Sequence, residues 1–358
     1  MTRLARAALL LSLAGCWKLE LAGVSESLLE FEPEAGAPAG WLVATIDSSL
    51  ECPDGSSTAF HLVYPESASD QPLAAAVLYH SGSFDFVLAP DAAAPLDGTH
   101  FAEPSRLEAS WALRQVFVTL GMYPDPDPLA VNTGLLPALL AERGVAILLP
   151  TNCWGDLWHN RPGFAESDFA ADFFLREGRV AAEWSYRAAV DPFFAEALQI
   201  ELPIEIDPDE VYVIGLAEGG RAVGELLALD TDDDGEPDFR PAGALIDSWS
   251  DDLRVYFADP TLYGNRVAGL VRIFPGGAPE TVKGSLHSSA LPTRFGYLYS
   301  TADAEVPVET HAALLSRLVS EPAAWVHRDD GQIHGLLNGF DPLLTEDAVD
   351  FLLTGDRP

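Results

Sequence analysis

The chain has 358 residues, with 20 Lys plus Arg against 55 Asp plus Glu and a formal net charge of −35. That sign excludes sequence-independent nucleic-acid binding, which needs cations to neutralise phosphates, and a polybasic contact with anionic lipid. Hydrophobic residues make up 48% and charged residues 21%, which excludes a disordered acidic tail and leaves enough apolar mass for a large core.

The chain opens on Arg3 and Arg6, followed by the apolar run Ala7 to Leu13. This run is far short of the ~20 residues that span a bilayer, but it suits the core of a signal peptide. Leu13-Ala14-Gly15-Cys16 comes next and resembles the lipobox of bacterial lipoproteins. The resemblance implies removal of residues 1–15, acylation of Cys16, and a membrane partner reached through that lipid anchor. Trp17, not Asp, follows the Cys. The lipoprotein resemblance then implies sorting to the outer membrane of the cell envelope, on its periplasmic face or the cell surface, if the host is Gram-negative. Residues 17–40 are acidic and then rich in Ala, Pro and Gly, and read as a flexible tether.

From residue 41 the pattern alternates between strand and helix. Residues 41–46 and 59–64 read as short strands separated by the turn signal Pro53-Asp54-Gly55. Residues 73–79 are wholly apolar, as in a parallel strand buried on both faces. Then follow a helix over 134–143 ending at Gly144, a strand over 145–149 and a largely helical stretch over 164–198. Strands over 210–214, 242–246, 293–299 and 325–327 and helices over 221–229, 310–319 and 345–353 complete the series. Such alternation predicts a mostly parallel sheet with helices on both faces.

Val211 to Arg221 reads VYVIGLAEGGR, a buried strand running through a glycine-spaced turn straight into a helix. This is the setting of the nucleophile elbow G-x-S-x-G, in which glycines allow a strained turn and close backbone approach. Gly215, Gly219 and Gly220 are present, but Ala217 stands at the nucleophile position. Downstream, Phe295 to Ser300 leads into a loop with Asp303, and Gly331 to Gly335 carries His334 between glycines. Upstream, His80-Ser81-Gly82-Ser83 follows the buried strand 73–79.

In the order nucleophile position, acid, base, residues 41–355 resemble the α/β-hydrolase superfamily, and the Gly219-Gly220 pair resembles its prolyl-oligopeptidase and esterase-like branches. The resemblance implies an α/β-hydrolase fold with an eight-stranded-type sheet. In it Asp303 orients His334, His334 acts as general base, and the Glu218 N–H with one from Ser81 or Gly82 forms the oxyanion hole. Asp247 is the second candidate for the acid. Ala217 has no hydroxyl to attack a carbonyl, and losing the serine of such a triad costs about 10⁶ in rate. The expectation is therefore a pseudo-hydrolase domain over 41–358 that binds an ester, peptide or acyl ligand. The alternatives are a serine-independent hydrolase using His334 and Asp303, and a structural envelope lipoprotein without a ligand.

Three further features stand apart from the elbow. Asp230, Asp232, Asp234 and Asp238 flank Gly235 at spacings that resemble the start of a calcium loop, and a structural Ca²⁺ is expected there. Pro241 stands where a full EF-hand has Glu. No organic cofactor is expected. Residues 84–132, too long for an ordinary strand-to-helix connection, read as an insertion or cap. Finally, the α/β-hydrolase sheet implied by the resemblance makes strands 59–64 and 145–149 antiparallel neighbours. That would bring Cys52 and Cys153 to one sheet edge, where an oxidising envelope favours a disulfide.

Overall fold

The structure is a computed structural model. It describes residues 24–28, 41–51, 57–65, 71–79, 135–150, 186–187, 189–190, 204–216, 218–230, 234, 236–249, 291–303, 306, 308–331, 335–337 and 341–358. The strands are β1 (Val24–Leu28), β2 (Trp41–Glu51), β3 (Ser57–Pro65), β4 (Leu73–Tyr79), β5 (Ala146–Pro150), β6 (Ile206–Leu216), β7 (Gly243–Asp247), β8 (Phe295–Ser300) and β9 (Ala324–Asp329). The helices are α1 (Leu135–Glu142), α2 (Glu218–Leu227), α3 (Ala312–Leu318), which continues a 3₁₀ turn over Val308–His311, and α4 (Pro342–Thr354).

The nine strands form one sheet in the order β1-β2-β3-β5-β4-β6-β7-β8-β9. β1, β2 and β3 join antiparallel to one another and to β5, and every pair from β5 across to β9 is parallel. The central parallel stretches, residues 73–79, 211–216 and 243–246, are apolar because both of their faces are covered. Period-two alternation divides their side chains between two cores. Ala75, Val77, Val211, Val213, Ala244, Ile246, Phe295 and Tyr297 face one side, where Val223, Leu226 and Leu227 of α2 and Leu314 and Leu318 of α3 pack. Ala76, Leu78, Tyr212, Ile214, Leu245 and Leu298 face the other, against Leu136 and Leu140 of α1 and Leu344, Ala348 and Leu352 of α4. The expected layering, helices on both faces of a mostly parallel sheet, is the one observed.

Helix α4 shows how local sequence places an element. Asp341 is extended and its carboxylate accepts from the N–H groups of Leu343 and Leu344, Pro342 occupies the first turn, and Gly355 closes the helix in the left-handed region. Between these signals Leu344, Ala348 and Leu352 recur at four-residue spacing and are buried.

Several boundaries depart from the expectations. β2 runs on to Glu51, and α2 starts at Glu218, three residues before the expected start. Residues 24–28, inside the expected tether, form edge strand β1, paired from Val24 opposite Ile46 to Leu28 opposite Leu42. This strand supplies the ninth member of a sheet expected to have eight. β6 begins at Ile206, four residues earlier than expected. The backbone of Asp207-Pro208-Asp209 extends β6 past an irregularity opposite Leu73 and Ala75 while Pro208, Asp209 and Glu210 face solvent. α4 begins at Pro342, three residues earlier, because the cap is Asp341.

Candidate functional site

The elbow is a packing fact as well as a motif. β6 ends at Leu216 and α2 begins at Glu218, with one residue between them in sequence. A Cβ on Gly215 would lie 2.5 Å from the Gly219 carbonyl oxygen. One on Gly219 would lie 2.0 Å from the Tyr79 carbonyl oxygen at the end of β4, and one on Gly220 would lie 2.5 Å from Trp249 Cβ beyond the end of β7. The first turn of α2 is thus wedged between the ends of β4 and β7, the strands on either side of β6, and only glycine fits at those three positions. Ala217 itself, Ser81 and Gly82 lie outside the described residues. Tyr79, two residues before Ser81, is the residue in contact with Gly219, so the chain leading to the expected oxyanion donors starts beside the Glu218 backbone.

Asp303 lies in the turn after β8 and is buried, with 7% of its surface exposed. Its Oδ1 accepts from the Val306 N–H at 3.1 Å, which fixes the turn. His334 lies outside the described residues, but both sides of its loop are anchored. On one side the Ser300 hydroxyl donates to the Gly331 carbonyl, and the Gly331 N–H donates to Asp329 Oδ1 at 2.6 Å. On the other side the Gly335 N–H donates to Ser248 Oγ at 2.8 Å, and the N–H groups of Leu336 and Leu337 donate to Asp247 Oδ1 and Oδ2 at 3.1 and 2.8 Å. The residues that flank the His334 loop, Gly331 and Gly335, are therefore held at the carboxyl ends of β8 and β7. Every residue expected in the site follows the carboxyl end of a parallel strand, where ligands of open α/β sheets bind.

Two groups near Asp303 carried no sequence signal. Tyr297 Oη lies 2.5 Å from the Trp249 carbonyl oxygen, to which it donates, and 2.5 Å from His311 Nδ1. His311 is buried, and burial pulls it down from the usual histidine value to about 4. Its hydrogen bond with the Val306 backbone and the nearby charges of Asp303 and Glu309 oppose that shift. His311 and Tyr297 tie the Asp303 turn to the residues that follow β7.

In the Asp-rich loop, Asp230 Oδ1 accepts from the Asp234 N–H and Asp234 Oδ1 from the Glu236 N–H. The Asp238 N–H donates to the Leu229 carbonyl at 2.7 Å. Asp232 lies outside the described residues, and among the described residues no group of three or more His, Cys, Asp or Glu side chains could hold a metal ion. β3 and β5 are antiparallel neighbours, with Phe60 opposite Pro150. Cys52 and Cys153, together with Cys16 and residues 1–15 and 84–132, lie outside the described residues. Among those described, no helix is long and apolar enough to cross a membrane.

No protein-family model matches the chain, and no curated protein does. Solved structures do. The acylaminoacyl peptidase of Pyrococcus horikoshii superposes with a TM-score of 0.51 at 12% identity, covering 84% of this chain and 41% of the peptidase. Oligopeptidase B of Leishmania major superposes with a TM-score of 0.50 at 13% identity, covering 88% of this chain and 36% of the peptidase. This chain thus spans well under half the length of either peptidase. An esterase of Thermogutta terrifontis aligns over 83% of this chain and 89% of its own, at 15% identity and a TM-score of 0.46. The sheet order, the two helical layers and the two peptidase superpositions agree, and the chain has the α/β-hydrolase fold.

Proposed function

We propose that this domain is a pseudo-hydrolase. It would bind an ester, peptide or acyl ligand at the carboxyl edge of the sheet, without the covalent step of a serine hydrolase. The carrying observation is the elbow: three glycines pack as tightly as such a turn demands, around a position occupied by Ala217. Selection for a stable helix alone does not call for Gly219 and Gly220 in its first turn, where each glycine costs up to about 1 kcal/mol relative to Ala. Asp303, His334 and the donors at Glu218, Ser81 and Gly82 would shape and polarise the pocket. A carbonyl placed there would be held by N–H donors with no nucleophile to attack it.

The full-length chain and an Ala217→Ser variant, assayed on short-chain nitrophenyl esters and with a fluorophosphonate, test this. We expect negligible turnover and no labelling by the native chain, and labelling of the variant that His334→Ala abolishes. Strong native turnover lost on His334→Ala would instead establish a serine-independent hydrolase using His334 and Asp303.

The same proposal places the domain in the cell envelope on a lipid anchor at Cys16. Release from the membrane fraction on Cys16→Ser checks that anchor. It includes a structural Ca²⁺ at Asp230, Asp232, Asp234 and Asp238, and a melting temperature unchanged by EGTA removes that ion. It also includes a Cys52–Cys153 disulfide, which thiol counting on the denatured, unreduced chain decides.

A further inference from the structure

We propose that the buried turn Asp247-Ser248 is a positioning element for His334, gauging the base loop against the elbow. The inference rests on the reading of Ala217, Asp303 and His334 as a hydrolase-type site. Asp247 is the last residue of β7 and pairs in register with Leu216, the residue bonded to Ala217. Its carboxylate is fully buried, with 0% exposure. It accepts from the Ser248 hydroxyl at 2.7 Å, from the Leu336 N–H at 3.1 Å and from the Leu337 N–H at 2.8 Å. Ser248 Oγ in turn accepts from the Gly335 N–H at 2.8 Å. Three successive N–H groups, directly after His334, thus converge on two side chains that lie 87 to 90 residues earlier in the chain. Buried, charge-assisted bonds of this kind are stronger and geometrically stricter than neutral ones.

The backbone supplies a second observation. Ser248 has φ 54°, the only positive φ at a non-glycine among the described residues. A side chain held in this region costs about 1–2 kcal/mol and persists only where the surroundings enforce it. Here the enforcing bonds are the Ser248 N–H to the Leu298 carbonyl at 3.0 Å and the Tyr297 hydroxyl to the Trp249 carbonyl. A glycine would adopt the turn without strain, but only a serine also supplies the hydroxyl that Asp247 and Gly335 share. Gly335 itself has φ 75°, so the chain turns sharply there and the next two N–H groups, of Leu336 and Leu337, can face one carboxylate.

The test compares the full-length chain with Asp247→Asn and with Ser248→Gly, which suits the backbone but removes the hydroxyl. The readouts are amide hydrogen exchange at Leu336 and Leu337, the NMR titration of the His334 imidazole, and fluorophosphonate labelling in the Ala217→Ser background. We expect exchange to accelerate by about tenfold or more and the His334 midpoint to move by about half a pH unit or more. We also expect labelling to fall by about 10- to 100-fold with a shifted pH profile, as when the partner that orients a functional group is lost. Faster exchange with an unmoved His334 midpoint and unchanged labelling would overturn the positioning role and leave only a structural one. A moved midpoint in a chain whose Ala217→Ser form resists labelling would keep the positioning role and overturn the hydrolase-type reading. Should Asp247→Asn fail to fold, Ser248→Gly carries the same comparison.

Discussion

Gly219 has the least room of the three elbow glycines. The nearest atom to an added Cβ is a backbone carbonyl oxygen, that of Tyr79, and not the end of a flexible side chain. Relief therefore requires β4 and α2, which pack together in one core, to move apart. Gly219→Ala is expected to destabilise the fold by at least about 3 kcal/mol, the upper end of overpacking costs, read as a lower urea midpoint. A midpoint within experimental error of the native one would show that β4 and α2 are not in this contact. Ala217→Ser should by contrast be nearly neutral for stability, since it adds one hydroxyl at the position that serine hydrolases fill with serine.

At the scale of elements, α4 illustrates why the C-terminal part of the chain is ordered where it is. Its buried stripe packs against α1, β7 and β8, and Arg143, just past α1, reaches Asp350 with its Nη2 at 2.6 Å. That ion pair is solvent-accessible, with the Arg143 side chain 25% and the Asp350 side chain 49% exposed, and contributes little on its own. The cap contributes more. Asp341→Ala leaves the Leu343 and Leu344 N–H groups without their side-chain acceptor and is expected to cost about 1 kcal/mol, measured as a shift in the urea midpoint without a change in slope. α4 also follows directly on the base loop, so its start fixes one limit of the segment that Asp247 holds at the other.

Across the whole molecule, charge and burial combine into a pH response. The net charge of −35 repels itself at neutral pH, and carboxylate protonation relieves that repulsion as pH falls. His311 acts in the opposite sense. Its value is near 4 in the folded chain and near the usual 6.5 when unfolded. Between these values the unfolded chain holds the extra proton, so this group's contribution is complete above about pH 6.5 and is lost as pH falls toward 4. The full loss is about 3 kcal/mol. His311→Gln keeps a hydrogen-bonding side chain beside Tyr297 without the titration. The difference between native and variant stability should therefore shrink or reverse from pH 7 to pH 4, and a pH-independent difference would refute the assignment.

Much of this was legible in the residues alone. A strand buried on both faces must be apolar along its length, so LAAAVLY over 73–79 and VYVIGL over 211–216 announce parallel strands. Glycines at 215, 219 and 220 announce a turn with no room for side chains. The order of elbow, Asp303 and His334 places all three after strand ends. Edge strand β1 was not legible, because its five alternating residues owe their order to backbone pairing with β2 and not to an apolar run. Nor was the polar start of β6, for the same reason. Asp247 showed only as an acid near a strand end. Its bonds to Leu336 and Leu337, the left-handed backbone of Ser248 and the contact between Tyr297 and His311 join segments far apart in sequence. Periodicity and local propensity report on neighbours along the chain. Which buried carboxylate meets which loop is decided only when the sheet order brings their ends together.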